Sequence, residues 1–258
     1  MAGLGGREHI PIDSFEDLTR LVQLFRKDGK WIFRGVRDGS YKLIPRIGRP
    51  ESRKGRTGIS LGYDHGAEKT LIRHFIRSAG PYVRHVPATC LEWLALAQHH
   101  GMFTRLLDWS ESLLVATYFA VEDARKRDGH GKEAMESAAG VKDRELPPTI
   151  YCVKDIPTAP DNKHDKIDDL PAVVLYYPPH ISPRIPAQSG LFTVHKNPDK
   201  PFVPMHMVRL TITKSPLTLK LNLNACGIHK ASLFPGIDGL AEHQSWLYKW
   251  GEHLKYDD

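Results

Sequence analysis

The sequence has few cysteines, no long apolar run and no internal repeat. Its three cysteines, Cys90, Cys152 and Cys226, are an odd number at wide spacing, which argues against both a disulfide framework and a zinc cluster. We expect them to be reduced core residues. The first residues, Met1–Arg7, have neither the apolar core of a signal peptide nor the length of a membrane span. The sequence therefore predicts a cytoplasmic protein with no membrane segment.

The overall composition is that of a globular protein. The chain has 258 residues, of which 41% are hydrophobic and 26% are charged, and a chain of this length can bury a full core. The formal charge of +6 permits attraction to nucleic acid or other anions, although the basic residues are scattered. The densest basic stretch, Arg46–Arg56, is either a loop beside an anion site or simply a surface loop. We predict one domain over residues 1–258.

The pattern of apolar residues predicts helices first and strands later. Helical spacing indicates a first helix from residue 15 that Gly29 ends, a second with its apolar stripe at residues 71–76, a third over 91–100, and a fourth from the Ser112 cap to about Arg127. Trp31–Arg34 and Thr104–Asp108 read as short extended segments between them, and residues 128–148 read as a surface loop. Further strands are predicted at residues 149–153, 172–177, 191–195, 207–212 and 217–221, before a last helix at about 235–250. This order predicts an α+β fold with helices of the N-terminal half packed on a mostly antiparallel sheet.

Two stretches place polar groups in apolar surroundings and are candidate functional segments. Arg34 ends an apolar strand, and its guanidinium either clamps a phosphate or carboxylate of a ligand or pairs with a structural carboxylate. Gly35 follows it and permits a close backbone approach or a sharp turn. The second stretch, Gln98–Ser110, lies between two apolar helices and carries imidazole, hydroxyl, guanidinium and carboxylate groups.

Several interpretations of this second stretch remain open. His99 and His100 are adjacent, so their side chains point in different directions and a metal site is not predicted. Either imidazole could transfer a proton or form a hydrogen bond, because histidine titrates near neutrality. Arg105 and Asp108 could simply pair with each other across a turn.

These motifs resemble the FRG domain family, which is named for its Phe-Arg-Gly motif. The resemblance is carried by Phe33-Arg34-Gly35, by the block from Glu92-Trp93 through Gln98-His99-His100-Gly101 to Thr104–Ser110, and by the later segments Ala187–Thr193 and Ala231–Leu240. The most characteristic motifs span residues 31–125, and residues 149–250 supply further sheet and the closing helix. The resemblance implies a single FRG domain over residues 1–258.

A second, more distant similarity implies a reaction that the chain could catalyse. The chain is similar to the arginine–serine–glutamate pattern of ADP-ribosyltransferases in the order of three features. These are an aromatic-Arg-Gly strand, a later strand with Thr or Ser that leads into a helix, and a polar residue that opens another strand. This similarity implies an ADP-ribosyltransferase-like sheet and NAD as the substrate. It implies catalytic roles for Arg34, Thr104, Ser110 and Gln188, and NAD-binding roles for Arg34, Gly35, His99, Arg105, Asp108, Tyr118 and Phe119.

The third position of that pattern leaves the reaction open. Gln188 stands where a transferase usually has a glutamate, and a neutral amide cannot stabilise a cationic transition state as a carboxylate can. Asp108 could supply the missing charge. Three functions therefore remain: ADP-ribose transfer to a nucleic acid or protein, hydrolysis of NAD, and nucleotide binding or sensing without turnover. The similarity also implies a bacterial toxin or phage-defence effector with a neutralising partner.

Overall fold

The structure is a computed structural model that describes residues 9–55, 58–83, 85–124, 146–160, 167–180 and 182–250. Within these ranges the fold is α+β, as predicted, and none of the helices is long and apolar enough to cross a membrane. The strands are β1 His9–Ile12, β2 Ile32–Val36, β3 Leu106–Ser110, β4 Thr149–Lys154, β5 Val173–Tyr176, β6 Gly190–His195 and β7 His206–Ile212. The helices are α1 Phe15–Lys27, α2 His65–Ala79, α3 Cys90–His99, α4 Leu113–Val121, α5 Arg184–Ala187, α6 Pro216–Ala225, α7 Lys230–Leu233 and α8 Ile237–Trp250.

The strands form one sheet in the order β1-β7-β4-β2-β3-β6-β5. The edge strand β1 is parallel to β7, and the other neighbours are antiparallel, so the sheet is mostly antiparallel as predicted. β2 and β3 share only the pair Phe33 with Ser110, whereas β2 and β4 share five pairs. The centre of the sheet therefore splits into two halves that are joined at one residue pair.

Helices α1, α4 and α6 cover one face of the sheet. The Ser14 hydroxyl caps α1 by accepting a hydrogen bond from the Asp17 N–H at 3.1 Å. The buried face of α1 includes Leu18 and Phe25. These side chains belong to a core cluster that also contains Phe33 of β2, and its burial supplies the main driving force for folding. The helices and sheet thus hold β2 in a fixed position beside the split.

The predicted strand at residues 217–221 is wrong, because these residues lie in α6. Leucines at every second position from Leu217 to Leu223 imitate the period of a strand. The helix begins with Pro216, whose fixed φ suits the first helical turn. Leu219 and Leu223 are buried, and this spacing of four residues is that of one helix face.

Other boundaries also differ from the predictions. The extended segment predicted at Thr104–Asp108 pairs only from Leu106 onwards, because the Thr104 hydroxyl accepts the Leu106 N–H and residues 104–105 form the turn that leads into β3. Helix α4 ends at Val121, and residues 122–124 are no longer helical, so the predicted helix is too long. Residues 125–127 of the predicted extension and most of the 128–148 loop lie outside the described residues.

Four predictions, about the helices, the strands, the basic stretch and the cysteines, were incomplete. The edge strand β1 was missed because it contains Pro11, which is tolerated at a sheet edge. The predicted closing helix is present as α8, but the second half of the chain also contains α5, α6 and α7, which were not predicted. Residues 46–52 form two short 3-10 turns rather than an irregular loop. The cysteines are free as predicted, but only Cys152 is buried; Cys226 is exposed because it caps the end of α6.

Candidate functional site

A cavity of about 330 Å³ opens where the sheet splits. Its walls come from β2, β3 and β6 of the sheet and from α3, α4 and α5, with Phe234 after α7. The volume is within the range of about 300–1,000 Å³ that is usual for small-molecule sites. β2 and β3 share a single residue pair there, and residues of both strands line the cavity.

Arg34 lines the cavity and reaches from β2 to β3. Its Nη1 atom donates a 2.7 Å hydrogen bond to the Asp108 carbonyl and lies 3.6 Å from Asp108 Oδ2. Burial lowers the pKa of Arg34, the Asp108 carboxylate opposes this shift, and the charge of Arg49 adds to it. The side chain is 18% exposed. Arg34 therefore combines a structural hydrogen bond with a partly open position on the cavity wall.

Asp108 supplies a carboxylate to the same cavity. Its side chain is 60% exposed, and Oδ2 accepts a 3.0 Å hydrogen bond from Gln98 Nε2, which also donates to the Leu106 carbonyl at 3.3 Å. The Thr104 hydroxyl donates to Gln98 Oε1 and so fixes which end of the amide faces Asp108. Among the described residues that line the cavity, Asp108 is the acidic one.

Ser110 and Gln188 hold β3 against the end of α5. Ser110 Oγ donates to the Gln188 carbonyl at 2.7 Å and accepts from the Ser112 N–H at 3.0 Å. Gln188 Nε2 donates to the Leu233 carbonyl at 2.9 Å, so Oε1 is the end of the amide that can accept a hydrogen bond from a ligand. The next residue, Ser189, has φ +45°, a strained conformation that functional segments can retain when their surroundings fix it.

Two phenylalanine rings form an apolar wall. Phe119 of α4 and Phe234 meet edge to face with ring centroids 6.0 Å apart. The Arg184 guanidinium lies 4.5 Å from the centroid of the Phe234 ring, and its Nη1 donates to the His99 carbonyl at 3.4 Å. The Lys230 ammonium also lies over the Phe234 ring, 4.0 Å from its centroid. The cavity therefore has an aromatic wall beside a second cation, Arg184.

The His99 imidazole is neutral at neutral pH. Burial lowers the pKa of His99 to about 4, and the charges of Arg184 and His100 act in the same direction. The Ser182 hydroxyl lies 3.3 Å from the ring nitrogens. A neutral imidazole can exchange hydrogen bonds with a ligand, but it adds no positive charge for a phosphate.

Gly35 allows α4 to pack directly on β2. A Cβ atom at this position would lie 1.8 Å from the Ala116 carbonyl oxygen and 2.6 Å from the Ala120 nitrogen, both on the main chain of α4. The close backbone approach predicted for Gly35 is therefore confirmed, and the glycine places Phe119 beside the split.

Residues 29–129 match the sequence family described as FRG domain. The chain carries an FRG domain. The predicted family is thus confirmed, and the FRG segment supplies β2, β3, α3 and α4 of the cavity, whereas α5, β6 and Phe234 lie outside it. Neither the curated proteins nor the solved structures include a match to the chain.

Arg105 lies in the FRG segment but not at the cavity. Its Nη2 is 2.6 Å from Glu68 Oε2 and its Nε is 2.9 Å from Glu68 Oε1, a pair that is almost fully buried. Burial alone would lower the pKa of Arg105, but the hydrogen bonds and charge of Glu68 raise it above its ordinary value. The alternative that Arg105 pairs with Asp108 is therefore wrong. Arg105 ties β3 to α2.

Two further residues of the predicted site also lie elsewhere. Thr104 is fully buried and meets the cavity only indirectly, through its hydrogen bond to Gln98. Tyr118 is buried on the side of α4 that lines a second cavity, while its neighbour Phe119 lines the first. The structure thus brings together Arg34, Gly35, His99, Asp108, Ser110, Phe119 and Gln188.

Arg184 and Phe234 line the cavity but were not predicted as site residues. Arg184 precedes Gln188 by four residues, which is one helical turn, and this spacing was the available signal. Phe234 lies in one of the segments that resemble the family. Its place opposite Phe119 depends on the packing of α7 against α5 and α4, which no local pattern encodes.

Proposed function

We propose that the cavity binds NAD and that the chain cleaves the bond between nicotinamide and ribose, as an ADP-ribosyltransferase-like enzyme. The observation that supports this most is the convergence of a cation, a carboxylate and an aromatic wall at the split between β2 and β3: Arg34, Asp108 and the Phe119–Phe234 pair line one cavity. A dinucleotide requires these three kinds of group for its phosphates, its reacting ribose and its planar rings.

The residues divide these tasks in the proposed complex. The phosphates lie against the guanidinium groups of Arg34 and Arg184, which can donate paired hydrogen bonds. The nicotinamide ring lies against Phe119, because the Arg184 and Lys230 cations already lie over the Phe234 ring. Gln188 Oε1 accepts a hydrogen bond from a ribose hydroxyl, because Nε2 is already held by a carbonyl.

Asp108 has the central chemical role in this proposal. When the C1′–N bond breaks, nicotinamide leaves with the bonding electron pair and positive charge develops on the ribose. The Asp108 carboxylate stabilises that charge. An oxygen of water or of an acceptor then forms the new bond to C1′, and its proton passes to Asp108 or to solvent. Water as nucleophile gives hydrolysis, and an acceptor gives transfer.

Nucleotide binding without turnover is the second candidate, and a specific observation favours it. Asp108 Oδ2 already accepts a hydrogen bond from Gln98 and lies 3.6 Å from Arg34 Nη1. Both contacts reduce the charge that the carboxylate can offer to a cationic transition state. Gln188 adds no second carboxylate.

The deciding experiment measures NAD binding and nicotinamide release by the purified chain, with and without nucleic acid. We expect Asp108→Asn to reduce nicotinamide release by on the order of 100-fold while NAD still binds. Asp123→Asn is the matched control, because Asp123 pairs with Arg37 outside the cavity and its side chain is 49% exposed. Binding without release would support the second candidate, and the absence of both binding and release would contradict the proposal.

The proposal extends to a nucleic acid as the acceptor. Arg49, in the basic stretch Arg46–Arg56, is close enough to Arg34 for its charge to lower the pKa of that residue. A basic segment beside the cavity suits a phosphate backbone as a binding partner. The ADP-ribosyltransferase-like sheet, the role as a toxin or phage-defence effector and the neutralising partner stay predictions.

A further inference from the structure

A second cavity, of about 540 Å³, lies on the other side of α4. Tyr118 lines it, whereas the next residue, Phe119, lines the first cavity. Helices α6 and α8, residues 228–229 and the start of α7 form the remaining walls. The proposed NAD reaction makes no use of this space.

Lys220 of α6 places a buried cation in this wall. The residue is 7% exposed, and its Nζ donates to the Glu122 carbonyl and lies 4.8 Å from the centroid of the Trp246 ring. Within the described ranges it makes no ion pair with a carboxylate. Burial lowers the pKa of Lys220 to about 8, although Glu122 and Asp123 act in the opposite direction. A buried ammonium without a carboxylate partner is unfavourable, so an anion bound beside it would stabilise it.

Other groups in the wall also have unused hydrogen-bonding capacity. In the part of the chain that the structure describes, the buried atoms Trp246 Nε1 and Asn224 Oδ1 have no hydrogen-bond partner. The indole N–H requires an acceptor and the amide oxygen requires a donor. His229 and His243 stack in the same wall with centroids 4.0 Å apart and planes 5° apart. A ligand that carries both acceptor oxygens and a donor would complement this wall.

The remaining charges limit how negative such a ligand can be. Lys230 is already neutralised, because it lies 2.9 Å from Glu122 Oε1 and 3.0 Å from Glu242 Oε2. These two carboxylates and that of Asp123 line the cavity and repel a multiply charged anion such as phosphate. A single carboxylate beside Lys220 satisfies the charge requirement.

We propose that the second cavity binds a small monocarboxylate that carries a hydrogen-bond donor, of the α-amino acid or α-hydroxy acid class. Its carboxylate lies against the Lys220 ammonium and the indole N–H of Trp246. Its amino or hydroxyl group faces Asn224 Oδ1. The site is distinct from the NAD cavity.

Titration calorimetry on the full chain tests this with glycine, L-alanine, L-lactate, acetate and inorganic phosphate as probes. We expect an amino acid or lactate to bind more tightly than acetate, which lacks the donor, and more tightly than phosphate. Lys220→Met keeps the apolar stem and removes the charge, so it should weaken binding at least about 10-fold. Lys214→Met is the matched control, because the Lys214 side chain is 70% exposed, and binding should not change.

Trp246→Phe gives a second readout that does not depend on Lys220. It removes the indole N–H, keeps a ring in the wall, and should also weaken binding at least about 10-fold. NAD binding should be unchanged in both variants, which separates this site from the first cavity. Three results would each overturn the proposal. The first is that no amino or hydroxy acid binds, and the second is that phosphate binds more tightly than they do. The third is that folded Lys220→Met binds as well as the unsubstituted chain or, if Lys220→Met does not fold, that Trp246→Phe does.

Discussion

Arg34 Nη1 donates a 2.7 Å hydrogen bond to the carbonyl of Asp108, a residue 74 positions further along the chain. The bond spans the split between β2 and β3, where the sheet retains one residue pair. The same guanidinium that joins the two halves of the sheet also lines the cavity. Stability and ligand binding are therefore coupled at Arg34, and a variant has to be tested for both.

Arg34→Lys keeps the positive charge but removes the planar fork. We expect NAD affinity to fall by on the order of a few kcal/mol, because a lysine cannot form the paired hydrogen bonds to a phosphate. The free energy of unfolding should fall by roughly 1 kcal/mol, because the bond to Asp108 is weakened. Calorimetry and urea unfolding measure the two effects. Arg37→Lys, at an exposed position, should change neither. Unchanged NAD affinity in the folded fraction of Arg34→Lys would contradict the assignment of Arg34 to the NAD-binding site.

Gly35→Ala should destabilise the fold severely. The added Cβ would lie 1.8 Å from the Ala116 carbonyl oxygen, so α4 has to move away from β2 and open the core. We expect a loss on the order of 3–5 kcal/mol in the free energy of unfolding. The control is Gly80→Ala, where the backbone is helical and a Cβ would meet no atom within 4 Å. The prediction is wrong if the two alanine variants unfold at the same denaturant concentration.

Glu68→Gln should destabilise the chain without weakening NAD binding. The substitution leaves the buried Arg105 guanidinium without its carboxylate partner, a change that costs about 3–5 kcal/mol in comparable pairs. Arg20→Gln, which breaks an exposed pair with Asp17, should cost at most about 1 kcal/mol. Unfolding and NAD titration of each variant give the comparison. A selective loss of NAD affinity in folded Glu68→Gln would contradict the prediction and indicate that Arg105 contributes to NAD binding.

Stability should fall as the pH falls below about 6.5. Burial lowers the pKa of His195 from 6.5 to about 3, and the charges of Arg34 and Arg105 act in the same direction. Between these two values the unfolded chain binds a proton that the folded chain does not, so this contribution is fully present above about pH 6.5 and is lost as the pH falls. The slope for one such group is at most about 1.4 kcal/mol per pH unit.

Urea unfolding between pH 7 and pH 5 measures this slope. His195→Gln should flatten it, because the amide does not titrate. His85→Gln, at an exposed position, should keep the slope of the unsubstituted chain. Equal slopes in all three proteins would show that His195 does not control the pH dependence.

Neutralising the basic stretch should weaken nucleic-acid binding. The substitutions are Arg49→Gln, Arg53→Gln, Lys54→Gln and Arg56→Gln, of which Arg56 lies outside the described residues. We expect lower affinity and a flatter dependence on salt, by about 0.9 in the log–log slope for each phosphate of duplex DNA that the chain no longer neutralises. Titration at low and moderate salt measures both, and Lys27→Gln with Lys42→Gln, at exposed positions, is the control. Unchanged affinity would exclude the stretch as the acceptor surface.

Local patterns identified the parts of the molecule that depend on neighbouring residues in the chain. The strands near residues 32, 149, 173, 191 and 207 were predicted from short β-branched and aromatic segments. The alternating leucines of α6 were wrongly predicted to form a strand. Leu219 and Leu223 lie on the same buried face of a helix, and that face is defined only by packing on α4. Periodicity reports the local conformation, but it is ambiguous when two periods fit the same few residues.

The sequence by itself determined the fold class, the family and the two segments that contribute most to the cavity, because each depends on a short run of residues. Only the tertiary structure decided which of those residues face one another. It paired Arg34 with Asp108 and Arg105 with Glu68, and it placed Phe119 and Tyr118 in different cavities. Such pairings join elements that are far apart in the chain, so they follow from the packing of the sheet and helices and not from spacing along the sequence.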